Sequence, residues 1–259
     1  MYNLSSQLLE QCPFEVTAIQ KGRGTYICTT SEGGKIIIGS FRGSKGRAEA
    51  IEHVLLRLKE NGIEADEIIH TREGEILVQE VDETWYYARK YIEGRECETR
   101  SRDDVLAAVE ELAKLHLVLQ KVEDENLKIG GQDYAMEVFR HNRELKKVRN
   151  YIHGKHKKNE FEMIFMRNYE IFLKQALDVE HRLMKPNPGE TQGQSGKQSR
   201  EAAMYGICHG DFNQHNVLFT HGKIIITNFE QAHYDVLAGD LAHFVRKLME
   251  KHNFNIGLA

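Results

Sequence analysis

The sequence predicts an α+β protein in which a small antiparallel sheet comes first and a mainly helical region follows. Three apolar, β-branched runs lie near the start, at residues 14–19, 25–30 and 35–41, and glycine-containing turns separate them. Further strands are predicted at residues 67–71, 75–81 and 85–91. Helix patterns dominate later, at residues 47–61, 102–120, 134–151, 160–184 and 236–248; at 102–120 the pattern is strongly amphipathic, with apolar residues every three or four positions. A short strand, a polar loop and a hairpin pattern at residues 207–230 interrupt the helices.

Composition is that of an ordinary globular protein of 259 residues, with 41% hydrophobic and 29% charged residues. The length suffices for one large domain or two lobes. With a formal net charge of −4, the chain lacks the excess of basic residues that is typical of nucleic-acid-binding proteins. No run reaches membrane-spanning length and the start lacks the features of a signal peptide, so we expect a cytoplasmic protein without a membrane partner. The four cysteines lack C-x-x-C spacing, which favours reduced thiols.

The residues with the clearest chemical potential lie at 207–230. His209 and Asp211 follow a strand-like run, Asn216 comes five residues after Asp211, and two short strands flank a turn at 220–222. Phosphoryl transfer to a hydroxyl needs such a loop, because a carboxylate accepts the hydroxyl proton while an amide oxygen binds a Mg²⁺ carried by nucleotide phosphates. A structural Asp/Asn turn is the alternative, since three fixed residues also recur by chance.

Residues 209–219, HGDFNQHNVLF, resemble the catalytic loop of the aminoglycoside phosphotransferase and choline kinase superfamily, which shares the protein-kinase fold. The segments GREC at 94–97, TNFE at 227–230 and DLAHFVRKLMEKHNFN at 240–255 are more similar still to the bacterial spore-coat kinase-like proteins. The resemblance runs from about residue 14 to the end of the chain, and the specific motifs are concentrated in its final part.

This resemblance implies a two-lobed protein-kinase-like fold, with a nucleotide-binding-like N-lobe at residues 1–92 and a helical C-lobe at residues 93–259. The C-lobe would carry the catalytic hairpin at 207–230 and a flexible loop at 185–201. ATP and Mg²⁺ are the implied cofactors. Relatives continue with further helices, so one expectation is a truncated C-lobe that lacks part of the substrate-binding wall.

The resemblance also assigns roles to residues of the loop and hairpin. Asp211 would be the catalytic base, His209 would brace the loop, and Asn216 would be a metal ligand. The second metal ligand of the family is an acidic residue, and here that position is Asn228. Glu230, two residues further on, is the nearest acid that would compensate.

In the sheet, the family places a phosphate-gripping lysine where this chain has Gly39. Lys35 lies on the same face of the strand but about 13 Å away along it, so it does not substitute without a register shift. The helix predicted at 47–61 would supply a partner for that lysine from Glu49 or Glu52. Without the lysine, a solvent-exposed position is the favoured interpretation for both glutamates.

Three further positions keep two interpretations. Gly22 and Gly24 lie where a kinase covers the phosphates, although a G-x-G sequence between strands is often an ordinary turn. Asp240 matches an aspartate that braces the catalytic-loop backbone, and a helix N-cap is compatible with that role. His116, on the apolar stripe of the helix at 102–120, is expected to be a core histidine.

Two functional hypotheses from different classes remain. The first is a phosphotransferase that moves the ATP γ-phosphoryl group to a small-molecule hydroxyl acceptor, with activity impaired by Gly39 and Asn228. The second is a pseudokinase that acts as a binding or scaffold protein, with spore-coat proteins as partners and a spore-associated location. A nucleophile built from Cys208 and His209 is disfavoured because neighbours on a strand point to opposite faces. A zinc site is disfavoured because the histidines lack ligand spacing.

Overall fold

The computed structural model describes residues 4–80, 82–127, 134–184 and 205–254. The chain divides into two compact units, one formed by residues 1–129 and 201–259 and the other by residues 130–200. The lobe boundary expected between residues 92 and 93 is not tested by this division and stays a prediction. The flexible loop expected at 185–201 lies outside the described residues.

Six strands form the main sheet of the first unit, and every pairing is antiparallel. Their order is β1-β2-β3-β6-β4, with β5 also on β6. The bounds are β1 Val16–Lys21, β2 Thr25–Thr30, β3 Lys35–Phe41, β4 Ile68–Ile69, β5 Leu77–Gln79 and β6 Trp85–Lys90. The predicted antiparallel sheet is therefore confirmed. The strands expected at 67–71 and 75–81 are shorter in the structure because β4 and β5 pair with different parts of the same strand, β6.

Apolar side chains cover both faces of this sheet. Ile36 and Ile38 of β3 are buried in a cluster with Leu8 of the short helix α1 (Ser6–Gln11). Helix α2 (Lys45–Glu60) buries an apolar stripe in a second, larger cluster that includes Phe41 of β3. The N-cap is Ser44, so the helix begins two residues before the predicted start at residue 47. Gly62 follows its C-terminal end at φ +78°.

The predicted helix at residues 102–120 is confirmed as α3 (Arg102–Leu119). Ser101 caps it by accepting a hydrogen bond from the backbone N–H of Asp104. Leu112, Leu115 and Leu119 are buried in the larger cluster, which also includes aromatic residues of the predicted loop and hairpin. This shared core positions the hairpin unit relative to α2 and α3.

Short strands and one helix complete the first unit. They are β7 Arg95–Glu96, β8 Tyr205–Cys208, β9 Val217–Thr220, β10 Lys223–Ile226, β11 His233–Val236 and the last helix, α6, Ala238–Lys251. The β9–β10 hairpin was predicted, and β7 extends it into a three-stranded sheet, whereas β11 pairs with β8. The last helix was expected from residue 236, but it begins at Ala238 because residues 233–236 are held in that pairing.

The second unit is a helical hairpin of α4 (Tyr134–His153) and α5 (Glu160–Met184), close to the helices predicted at 134–151 and 160–184. The Asn142 amide of α4 donates to the Ala176 carbonyl at 3.1 Å and to the Glu180 carboxylate at 2.7 Å, both on α5. Among the described residues, no helix combines the length and apolar character that crossing a membrane requires.

Candidate active site

A buried carboxylate on α6 anchors the loop that follows β8. Asp240 accepts hydrogen bonds from the backbone N–H groups of His209 and Gly210, at 2.8 and 2.9 Å. It lies in the first turn of α6, whose N-cap position is Leu237, so the loop-bracing contact is present and the N-cap alternative is not. Gly210 has φ +81°, and a Cβ at this position would lie 2.1 Å from the Gln231 carbonyl oxygen. Only glycine fits here.

His116 is a second partner of this carboxylate and not an inert core residue. Its Nε2 lies 2.9 Å from Asp240 Oδ2. Burial by itself raises the pKa of the Asp240 carboxyl. The hydrogen bond from His116, the nearby His209 and the hydrogen bonds from the two loop N–H groups together lower the pKa by more than burial raises it. The net pKa of Asp240 is therefore lowered, and the carboxylate stays charged although it is only 3% exposed.

His209 is fully buried and ties the loop to the hairpin. The backbone N–H of Asp211 donates to His209 Nδ1 at 3.1 Å, so this nitrogen carries no proton and Nε2–H donates to the Thr227 carbonyl at 2.9 Å. Burial lowers the pKa of His209 despite nearby Asp240. A neutral imidazole of fixed tautomer is a brace, which is the structural part of the role predicted for it.

Two amides orient the Asp211 carboxylate. Asn213 Nδ2 donates to Oδ1 at 2.9 Å, and Asn216 Nδ2 donates to Oδ2 at 3.1 Å and to the Asp211 carbonyl at 2.8 Å. Because these bonds use the Asn216 nitrogen, its side-chain oxygen is the atom that remains for a cation. His243 of α6 approaches from the other side, with Nε2 3.6 Å from Asp211 Oδ1.

The β9–β10 hairpin ends beside the loop that contains Asp211 and Asn216. The backbone N–H of Thr227 donates to the Asn216 carbonyl at 2.9 Å. The next residue, Asn228, has φ +74°, a left-handed conformation that asparagine tolerates better than most residues. Its backbone N–H donates to the carboxylate of Asp66.

Asp211, Asn216 and Asn228 line one open cleft of 470 Å³ beneath the main sheet. Its lining also includes Gly22, residues of β2 and β3, and Ile92 and Gly94 from the segment that follows β6. The structure therefore brings together the carboxylate and both amides that the sequence singled out. Gly24, at φ +71°, forms the adjoining turn.

A buried ion pair forms part of the cleft wall. Arg89 of β6 lines the cleft and donates from Nη1 to Asp66 Oδ1 at 2.8 Å, while Asp66 holds the Asn228 backbone through its other oxygen. Burial disfavours the charged guanidinium, yet Asp66, Tyr87 and Glu230 outweigh it and raise the pKa of Arg89. Removing one member of such a pair costs about 3–5 kcal/mol because the other charge is left buried and unpaired.

Glu230, the predicted compensating acid, is placed against β6. Its Oε1 accepts a hydrogen bond of 2.5 Å from the Tyr87 hydroxyl. Burial raises the pKa of Glu230, although the Tyr87 bond and nearby Arg89 oppose that effect. Arg47 of α2 fixes the backbone here by donating to the carbonyls of Glu230 and Ala232 at 3.2 and 2.8 Å. The assignment of Glu230 as a metal ligand stays a prediction.

Gly39 leaves β3 without a side chain next to the cleft. A Cβ at this position would meet Thr25, Tyr87 and Glu230 at 3.4–3.5 Å, which is ordinary contact. Glu52 of α2 pairs with His70, 2.8 Å away, and Glu49 is exposed, so neither faces Gly39. The solvent-exposed position favoured for both glutamates holds for Glu49, whereas Glu52 is half-buried in its pair with His70.

At the mouth of the cleft, Arg23 reaches Glu96 at 3.2 Å and His215 contacts the same carboxylate. Within the described ranges, no group of three or more His, Cys, Asp or Glu side chains is arranged to hold a metal ion.

Burial raises the pKa of the Cys208 thiol, which makes it a poor nucleophile.

Five residues of this region were not predicted from the sequence as part of a site: Arg47, Asp66, Tyr87, Arg89 and His243. A signal existed for two of them, because Tyr87 and Arg89 alternate on the buried face of β6 and a buried arginine always needs a partner. The others gave none, since their contacts join residues that are far apart in sequence.

The fold and cleft define a kinase-like α+β protein, and solved structures of this class are similar to it. An aminoglycoside phosphotransferase from Alicyclobacillus acidocaldarius subsp. acidocaldarius DSM 446 matches with a TM-score of 0.79 and 16% identity, over 100% of this chain and 75% of that chain. A spectinomycin phosphotransferase in complex with ADP and spectinomycin matches with a TM-score of 0.62 and 14% identity, over 98% and 80%. A microcompartment-associated aminopropanol kinase matches with a TM-score of 0.53 and 13% identity, over 90% and 69%.

At these identities the similarity shows the fold. Family membership rests on sequence, because a model described as the phosphotransferase enzyme family matches residues 15–254. The chain therefore belongs to the phosphotransferase enzyme family. A comparison with curated proteins gives no match. The closer likeness to spore-coat kinase-like proteins stays a prediction.

We predict that Asp240→Asn destabilises the protein by about 1–3 kcal/mol at pH 7, because a charged acceptor of buried N–H groups is lost. The folded pKa of Asp240 lies below its usual 3.8, so its contribution is present above pH 3.8 and is lost as pH falls below that value. Urea denaturation of both proteins from pH 7 to pH 3 measures this, and the difference should shrink at the acid end.

Asp103→Asn is the matched control, since Asp103 is an exposed aspartate in the first turn of α3. It should change stability by no more than about 0.5 kcal/mol. Equal stability of the two variants at pH 7, or a difference between wild type and Asp240→Asn that grows toward acid, would contradict the bracing role.

Proposed function

We propose that this chain is a phosphotransferase that moves the γ-phosphoryl group of ATP to a hydroxyl of a small-molecule acceptor. The observation that carries the proposal is the shared cleft, in which Asp211, held on both carboxylate oxygens, lies beside Asn216 under the sheet. Family membership supports the same reaction class.

Asp211 is the base in this proposal. It accepts the proton of the acceptor hydroxyl, the acceptor oxygen forms the new bond to the γ-phosphorus, and the bond from that phosphorus to the β–γ bridging oxygen breaks to leave ADP. Asn213 and Asn216 hold the carboxylate in one orientation, so little reorganisation accompanies proton transfer. His209 keeps the loop backbone in place through Thr227.

The donor chemistry of the cleft fits a weakly held Mg²⁺. Asn216 and Asn228, which line the cleft, offer amide oxygens, and the carboxylate of Asp211, the proposed base, lies in the same cleft. When bound, Mg²⁺ would neutralise charge on the nucleotide phosphates. An amide at position 228 keeps an oxygen but removes a charge, and one charge pair at 4 Å is worth about 4 kcal/mol at an effective dielectric constant of about 20.

The proposed cofactors are therefore ATP and Mg²⁺, with Gly22 and Gly24 near the phosphates and Gly39 at the vacant lysine position. Support for nucleotide use comes from the ADP in the spectinomycin phosphotransferase complex. The spectinomycin in the same complex supports a small hydroxyl-bearing acceptor.

The second candidate is a pseudokinase that acts as a binding or scaffold protein, with spore-coat proteins as its partners. Two observations favour it: Gly39 provides no phosphate-binding side chain, and Asn228 stands where a metal-binding acid is expected. Glu230, the nearest acid, is hydrogen-bonded to Tyr87. Because both differences affect the same nucleotide, they favour loss of ATP binding.

Thermal denaturation with millimolar nucleotide distinguishes the two candidates. If the chain is a phosphotransferase, Mg·ATP should raise Tm, because ligand at 100 times its Kd stabilises the folded state by about 2.7 kcal/mol. The rise should disappear when EDTA removes Mg²⁺. No rise in Tm with millimolar Mg·ATP would favour the scaffold protein.

Asp211→Asn tests the base. We expect transfer of the γ-phosphoryl group to water, measured as phosphate release from ATP, to fall by about 10²–10⁴-fold, while the Kd for Mg·ATP changes by only a few-fold. Asp103→Asn, on the exposed side of α3, should leave both quantities unchanged. Undiminished phosphate release by Asp211→Asn would remove Asp211 from the reaction.

Asn228→Asp tests the proposed metal position. Restoring the carboxylate should tighten Mg·ATP binding at least tenfold, which corresponds to about 1.4 kcal/mol. Asn253→Asp is a matched control, because Asn253 also has positive φ, +51°, and is exposed. If calorimetry at several Mg²⁺ concentrations gives the same change for both variants, position 228 does not bind metal.

A further inference from the structure

The cleft contains a cationic side chain, that of Arg89, which was not predicted from the sequence. No side chain extends from Gly39, and Lys35 of the same strand lies over the Tyr91 ring, 5.3 Å from its centroid. Arg89 on β6 also lines the cleft, and it is the residue paired with Ile37 of β3 in the sheet. A positive charge is therefore present in the cleft although β3 does not supply it.

Arg89 is buried and held by a specific ion pair. The residue is 8% exposed, and Asp66 binds its Nη1 at 2.8 Å. Among the described residues, its buried Nε has no hydrogen-bond partner. A buried guanidinium N–H without a partner is costly, and this donor belongs to a side chain that lines an open cleft.

Asp66 connects this arginine to the candidate metal position. One carboxylate oxygen binds Arg89 and the other accepts from the backbone N–H of Asn228. The guanidinium is therefore held next to the end of the hairpin. Arg23 is a weaker candidate, because its side chain is 70% exposed and pairs with Glu96.

We propose that Arg89 binds the phosphate groups of the nucleotide in place of a lysine on β3, and that Asp66 positions its guanidinium. The inference rests on the proposed function, because it names the residue of the same cleft that contacts the phosphates. A planar guanidinium donates several N–H bonds in fixed directions and suits phosphate oxygens.

The alternative is that Arg89 and Asp66 form a purely structural pair. Replacing Arg89 alone does not separate the two roles, because it leaves the Asp66 charge buried and unpaired. The double variant Arg89→Met with Asp66→Asn avoids this. It removes both charges, keeps an apolar stem at 89, and keeps an oxygen at 66 for the Asn228 N–H.

The test measures Kd for Mg·ADP and for adenosine by calorimetry, with the wild-type chain, the double variant and the surface control Arg57→Met. Arg57 pairs with Glu60 on the exposed side of α2. If Arg89 binds phosphate, the double variant binds Mg·ADP at least tenfold more weakly and adenosine as the wild type does. Arg57→Met should not change either Kd.

Adding Gly39→Lys to the double variant provides the rescue, since a Cβ at this position meets its neighbours at ordinary contact distances. The new ammonium should recover most of the lost Mg·ADP affinity, and a loss that it does not rescue assigns Arg89 to the structure of the cleft. Equal Mg·ADP binding by wild type and double variant overturns the Arg89 proposal and leaves the phosphotransferase proposal standing. A wild-type chain that binds no Mg·ADP overturns both.

Discussion

The candidate site depends on one buried carboxylate, that of Asp240. Its two oxygens hold the backbone N–H groups of His209 and Gly210, and His116 holds it in turn. A carboxylate that is 3% exposed remains charged only because donors surround it. Asp211 follows Gly210 directly, so a contact from α6, 30 residues away in sequence, sets where the candidate base lies.

The distribution of charge around the cleft is the second constraint. Asp211 is fixed by two amides, Glu230 is hydrogen-bonded to Tyr87, and Asn228 offers an amide where the family resemblance places an acid. The candidate metal position is therefore lined by amide oxygens, and Asp66, which binds the Asn228 backbone, holds the Arg89 guanidinium next to it. Such a cleft would bind a nucleotide more through its phosphates and less through the metal.

Local pattern was enough to predict the sheet, the helices α2 to α5 and the hairpin, because each has a clear periodicity or turn signal. The strands β7 and β11 were not predicted, since their pairing partners are distant in sequence and no tight turn joins them. The site shows the same contrast. Asp211 and Asn216 lie within one loop and were found, whereas Asp66 and Arg89 meet Asn228 only after the chain folds.

A crystal structure with Mn²⁺ and a non-hydrolysable ATP analogue tests the central claim most directly, because the anomalous signal of manganese locates the metal. The account predicts a metal ion about 2.1–2.2 Å from the side-chain oxygen of Asn216, between that residue and position 228, with Asp211 facing the γ-phosphate. A nucleotide bound outside the cleft, or a metal ion that touches neither asparagine, would contradict it.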